Sequence, residues 1–326
     1  MIEVNKLNSK IYSKLGQSGS LFGIGLIEAQ KENKQLFVLS ADMAKPAGLN
    51  RFISRNHDMF INVGIAEQNL IGIAAGMASE NKRVLVTAQA CFISMRSFEQ
   101  VRQYMGYMDS NIIAVGISSG FSLTFFGNTH YAIEDISLMR TVPGLTVLSP
   151  SDAGQAIKAL MAAIDLNGPV YIRLSGTLNC PVVYDHDYNF EIGRSIKVKK
   201  GKDIAIIATG SMVFNAIKAA EILESGTNYS VKVVDMHTIK PLDNEAIVDC
   251  FDSTLIVSIE EHNLIGGLGS AISECLSCKK APPPLLSLGI KDRFSHPGDY
   301  EYLLTQNRLT PLEISEDILT MMDSII

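Results

Sequence analysis

The stretch FINVGIAEQNLIGIAAGM, residues 60–77, is almost wholly apolar apart from Asn62, Gln68 and Asn69, yet it carries one carboxylate, Glu67. A short β-branched run gives way to a glycine and then to a Gly/Ala-rich helical stretch, with the acid where the helix opens. Strand, turn and helix in this order build parallel sheets covered on both faces. In such sheets, ligands sit outside the carboxyl ends of the strands, on loops that enter helices. The helix dipole favours a first-turn Glu by about 0.3–1 kcal/mol, which is reason enough for one. The apolar neighbours Ile65, Ala66, Leu70 and Ile71 argue for a second reason, because an acid that only complements a dipole normally faces water.

The same rhythm runs outward in both directions. QLFVLSAD (35–42), RVLVTAQ (83–89), NIIAVGIS (111–118) and PVYIRLS (169–175) read as buried strands. Residues 69–80, 97–107 and 151–166 read as the helices between them. CPVVYDHDYNF (180–190) breaks the pattern as a linker. A second alternating block follows, with strands expected at 203–211, 229–236 and 254–262. Thr310-Pro311 is the N-cap and first-turn proline of a last helix. The expected fold is α/β: a parallel-sheet domain covered by helices over residues 1–184, then a smaller α/β domain over 185–326.

Composition narrows the function. Of 326 residues, 47% are apolar and 19% charged, enough for two cored domains. The net charge of −6, with no long Lys/Arg block, argues against nucleic acid as a partner. The run KVKKGK (197–202) reads as a solvated hairpin. The first ten residues have no apolar signal core, and no segment approaches the roughly 20 apolar residues that span a bilayer. Five scattered cysteines suit a reducing cytoplasm. Cys275 and Cys278 form a CxxC without a second ligand pair, so two thiols on one helical face is the better reading than zinc.

NVGIAEQN (62–69) with the helix behind it resembles the pyrimidine-binding domain of thiamine-diphosphate enzymes of the transketolase type. LSAD (39–42) precedes it and GNTHYAIEDISLMRTVPGLTVLSPSD (127–152) follows at the expected distance. ATGS (208–211), HTIKPLD (237–243) and EEHNLIGGLGSAI (260–272) resemble the transketolase C-terminal domain in order and spacing. The resemblance implies that Glu67 hydrogen-bonds the cofactor's aminopyrimidine ring and so promotes removal of the thiazolium proton. An apolar setting disfavours the charged carboxyl and lets it share that proton. His130, in GNTH, matches a histidine that hydrogen-bonds the donor ketose near its reacting carbons, a role suited to imidazole near neutral pH. Phe92 and Phe98 fall on aromatic positions of the pyrimidine wall. Met95 falls where transketolases usually stack a Phe, so a sulfur–ring contact is implied. Ile65 matches the residue that props the cofactor in its bent shape. For each of these four, ordinary core packing is the alternative.

Two features depart from the family. The chain has no GDG…N motif for the diphosphate and its divalent cation, and GGLGS (266–270) belongs to the C-terminal domain. The resemblance therefore implies half an enzyme. Thiamine diphosphate would be shared with an N-terminal diphosphate-binding subunit that holds Mg2+ or a similar cation, in an α2β2 assembly. The substrate-phosphate contacts are also changed. Their positions fall at Ser118, Phe126 and Gly176, with Arg173 close by, and a strand-end surface charge is an equal reading of Arg173. A substrate other than the common sugar phosphates is implied, such as an unphosphorylated ketose, a nucleotide-linked sugar or a short 2-oxo acid, unless the partner chain supplies those contacts. The expected activity is transfer of a two-carbon ketol unit to an aldehyde. The alternatives are a 1-deoxyxylulose-phosphate-synthase-like subunit, a 2-oxo-acid dehydrogenase β-type subunit and a non-catalytic scaffold.

Overall fold

The computed structural model describes residues 3–32, 36–176 and 178–325. Its strands are β1 (Phe37–Ser40), β2 (Phe60–Asn62), β3 (Val84–Gln89), β4 (Ile112–Ser119), β5 (Thr146–Leu148), β6 (Val170–Ser175), β7 (Ile196–Lys199), β8 (Ile204–Ala208), β9 (Val231–Asp235), β10 (Thr238–Lys240), β11 (Leu255–Asn263) and β12 (Leu285–Ile290). They form two sheets, one of seven strands in the order β10-β5-β6-β4-β3-β1-β2 and one of five in the order β12-β11-β8-β9-β7. Both are parallel except at one edge each, where β10 and β7 run antiparallel. This is the two-part α/β architecture that the alternating sequence predicts. Residue 35, the first of the strand expected at 35–42, lies outside the described residues.

The apolar runs become strands because both faces of each sheet are covered. In β3 and β4, Val84, Val86, Ile112 and Ala114 face one core, while Leu85, Ile113 and Val115 face the other. Leu70, Ile71 and Ala74, from the helix Glu67–Ser79, pack into the first of these cores. Leu70 and Ile71 are fully buried, each stabilising by about 1.5–3 kcal/mol. That packing fixes the helix, and with it the direction in which residue 67 starts.

Four expectations change. HTIK, from the second block, gives β10, which pairs with β5 and so joins the first sheet; the chain division at 184/185 does not separate the sheets cleanly. KVKKGK is not a hairpin: residues 197–199 lie in the edge strand β7, which pairs with β9. The helix expected at 97–107 is a short turn, Phe98–Gln100, followed by a wide π-type turn, Val101–Tyr107. The linker 180–190 is tied down, because Asp152 accepts the backbone N–H groups of Val183 and Tyr184 at 2.9 and 3.0 Å.

Candidate active site

Glu67 is the first residue of its helix and is 4% exposed. A clasp sets the entry to that helix. Asn62 Oδ1, at the end of β2, accepts from the backbone N–H groups of Asp42 (3.0 Å) and Gly64 (3.1 Å), and its Nδ2 donates to Asp42 Oδ1 at 3.1 Å. The loop ending LSAD is thereby tied to the loop NVG. Gly64 then takes a φ of 77°, a left-handed turn that glycine adopts without strain. The chain leaves β2, reverses and enters the helix at Glu67.

The carboxylate is met by a residue that the sequence reading missed. Arg96 Nη1 donates to Glu67 Oε2 at 3.1 Å and to Oε1 at 3.3 Å. The wide turn Phe92–Arg96 carries this guanidinium across the site and lays it over the Phe92 ring, 4.0 Å from the centroid. The niche is therefore not purely apolar, as expected, but has a half-exposed cation at its mouth. The signal was present: a turn expected to build the aromatic wall holds one arginine, four residues after Phe92.

Phe92 links Glu67's partner to the histidine. Its ring meets the His130 ring edge-on at 5.2 Å between centroids. On its other side His130 lies against Phe126 at 4.7 Å. The Thr129 hydroxyl is 2.9 Å from His130 Nδ1 and orients the imidazole. Gly127, at φ 70°, makes the bend that brings GNTH back, and Asn128 Nδ2 donates to the Ser295 carbonyl at 3.0 Å. Glu67, Arg96, Phe92, His130 and Phe126 thus form one continuous line of contacts.

The remaining candidates divide. Ile65 is 78% exposed and Met95 is also exposed, both beside this line in sequence, so apolar surface is left uncovered there. Phe98 is half-buried and packs on the core under the Glu67 helix. Ser118 is the last residue but one of β4, at a φ of 58°, and is half-buried. Arg173 is neither a surface charge nor a pocket residue. It is 1% exposed, its Nε donates to Asp135 at 2.9 and 3.1 Å, and its Nη2 donates to the carbonyls of Ala132 and Glu261. It sits on β6, inside the sheet, so its charge is met by the protein rather than by solvent.

The glycine-rich helix start at GGLGS is already filled. Glu260 accepts from the backbone N–H groups of Leu268 (2.6 Å) and Gly269 (2.8 Å), supplying the anion that such a terminus favours. Burial pushes its carboxyl up to about 7 in spite of those two donors. Among the described residues, no group of three or more His, Cys, Asp or Glu side chains is placed to hold a metal ion. Among them too, no helix is long and apolar enough to cross a membrane.

Comparison with known proteins adds a family. Residues 18–180 match the model of the transketolase pyrimidine binding domain, and residues 193–314 match that of the transketolase C-terminal domain. The chain is 36% identical to the 6-deoxy-6-sulfo-D-fructose transketolase subunit SqwH of Clostridium sp. (strain MSTE9), covering 89% of each chain. It is also 36% identical to an apulose-4-phosphate transketolase subunit of Phocaeicola vulgatus, over 82% of this chain and 85% of that one. A solved structure described as a split gene transketolase, inactive beta4 tetramer, superposes with a TM-score of 0.85 at 36% identity, covering 93% of this chain and 97% of that one.

Proposed function

Because the chain belongs to the transketolase family, we propose that it is the pyrimidine-binding, C-terminal subunit of a two-chain, thiamine-diphosphate-dependent enzyme. That enzyme transfers a two-carbon ketol unit from a ketose to an aldehyde. Residues 1–184 form its cofactor-facing part and residues 185–326 its C-terminal part. The observation that carries this reading is the buried Glu67 carboxylate, set at a helix start beside uncovered aromatic and apolar side chains and joined through Phe92 to His130.

The residues present fit the heterocyclic half of the cofactor. Glu67 would take the pyrimidine ring nitrogen and hold a proton there, Phe92 and Met95 would wall the ring, and Ile65 would prop the bend. Bound thiamine diphosphate supplies the nucleophilic carbon for breaking and making the carbon–carbon bond. With Nδ1 engaged by Thr129, His130 Nε2 is the nitrogen for a substrate hydroxyl. Phe126 and Ser118 border the ketose in place of phosphate-gripping groups. The diphosphate and its Mg2+ fall to the partner subunit, since the glycine-rich helix start of this chain holds Glu260 instead. The solved relative described as an inactive beta4 tetramer supports a need for that partner, and the assembly proposed is α2β2. Free cysteines at positions 91, 180, 250, 275 and 278 support a reducing, cytoplasmic setting.

The test uses the chain reconstituted with its diphosphate-binding partner, thiamine diphosphate, Mg2+ and a ketose donor. Glu67→Ala is expected to lower turnover by about 10²-fold or more while the assembled mass is unchanged. A fully active alanine variant refutes the proposal and favours a scaffold.

A further inference from the structure

A cavity of about 240 Å³ lies between the two parts of the molecule, and none of its lining residues belongs to the line that joins Glu67 to His130. Its walls come from both sides. Gln17 arrives from the N-terminal helix Lys6–Ser20, Ser122 and Ser175 from the first sheet's loops and strands, and Ser211, Asn215 and Tyr300 from the second part. Interdomain clefts with a few convergent polar groups are preferred ligand sites.

Gln17 is the telling residue. It is 2% exposed, its Nε2 donates to the Pro150 carbonyl at 2.8 Å, and its Oε1 has no hydrogen-bond partner among the described residues. A buried amide oxygen without a partner is destabilising, and a bound donor would relieve it. The helix breaks one residue earlier, where Gly16 takes φ 70° and ψ 176°, and that break sets Gln17 on the cavity wall. Gly176, at φ 102°, leaves the wall beside Gln17 bare, with the Gln17 amide carbon 4.0 Å from where a Cβ would stand.

Among the described residues, the lining contains no Lys, Arg, His, Asp or Glu. Carboxylates stand behind it: Asp235 Oδ2 accepts from the Ser151 hydroxyl at 3.0 Å, and Glu261 Oε2 accepts from the Ser211 hydroxyl and the Tyr300 hydroxyl, each at 2.6 Å. Those two hydroxyls have spent their protons on Glu261 and so offer lone pairs to the cavity. Together with the Gln17 oxygen they present acceptors, while the amides of Asn179 and Asn215 and the Ser175 hydroxyl add donors. An anion placed there would face a carboxylate with no cation in the lining. A cation would find Glu261 already bonded, because its Oε1 takes the Phe121 N–H at 2.6 Å. A neutral molecule with several hydroxyl donors suits this wall.

We infer that this interdomain cavity is a binding site for a small, uncharged polyhydroxyl compound, which satisfies Gln17 and bridges the two parts of the chain. The inference does not rest on the proposed function, and its test needs neither cofactor nor partner. Saturation-transfer NMR titrations of the purified full chain would use xylitol, inorganic phosphate and ethanolamine as probes. Xylitol is expected to bind saturably and more tightly than either charged probe. Gln17→Leu is expected to weaken xylitol by about tenfold. Ser122→Ala, also on the lining, is expected to weaken it by about threefold and decides the matter if Gln17→Leu does not fold. Tighter binding of phosphate or ethanolamine, no saturable xylitol binding up to its solubility limit, or undiminished xylitol affinity in the folded variant would each overturn the inference.

Discussion

Glu67 and Arg173 are both buried charges, and the structure gives them opposite tasks. Glu67 opens a helix at the edge of the core, and its described hydrogen bonds come from a half-exposed arginine that can swing away. Arg173 is enclosed by Asp135 and by two carbonyls drawn from either part of the chain. Breaking a buried pair strands the other charge, so Arg173→Met is expected to cost about 3–5 kcal/mol, read as a lower denaturation midpoint. Chemical unfolding of the isolated chain measures it, and a change below about 1 kcal/mol would return Arg173 to the surface-charge reading. Glu67 was legible in the sequence because an acid among Ile65, Ala66, Leu70 and Ile71 is out of place. Arg173 was not. A cation at the end of a strand looks the same whether it meets water or a partner 38 residues away.

At the scale of elements, the start of the helix Leu268–Ser277 shows why a glycine-rich loop is not by itself an anion site. Glu260, on the neighbouring strand β11, has already reached its backbone N–H groups. Gly267 is what makes room: a Cβ there would stand 2.0 Å from Glu260 Oε2. That carboxylate is bonded to two adjacent backbone N–H groups of the helix start, so it retreats only by giving up one of them. Gly267→Ala is therefore expected to destabilise the chain by about 2 kcal/mol, with a matching drop in thermal midpoint. An unchanged melting curve would show that the carboxylate yields. The wide turns at Phe92–Arg96 and Val101–Tyr107 are the counter-example. Residues 101–107 read as ordinary helix and residues 92–96 only as part of an aromatic wall, and the wide turn that carries Arg96 over to Glu67 depends on what packs beneath.

For the whole molecule, two effects join distant parts. His237 lies between β9 and β10, stacked on Phe190 at 4.2 Å, and burial pushes its imidazole down to about 4. A depressed folded-state value means that the unfolded chain takes up a proton first. The stability contributed by the neutral ring is whole above about 6.5 and is lost as pH falls towards 4. By pH 5 this loss amounts to about 2 kcal/mol. His262, also lowered to about 4 by burial, acts with it, whereas Asp235, raised to about 6, and Glu260, raised to about 7, act against it. The expected result is thus a difference: His237→Asn should lose less stability between pH 7 and 5 than the parent chain, and parallel denaturation curves would remove His237 as the cause. The second is the cofactor site, which the proposed function divides between two chains. Calorimetry on the chain alone is expected to show no tight, magnesium-dependent binding of thiamine diphosphate, and micromolar or better affinity would mean that no partner is needed. What the sequence determined by itself was local and periodic: the alternation of strand and helix, the acid at a helix entrance, and the histidine in its glycine-bounded loop. Hydrophobic period and turn chemistry act over a few residues and need no further context. Only the tertiary structure decided the rest, namely β10 crossing into the first sheet, Arg96 closing on Glu67, Glu260 occupying its own helix start, and Gln17 facing an interdomain cavity. Apart from Glu260, which reaches only eight or nine residues ahead, these are contacts between residues far apart in the chain, and the energy of all of them depends on packing and burial that no local pattern encodes.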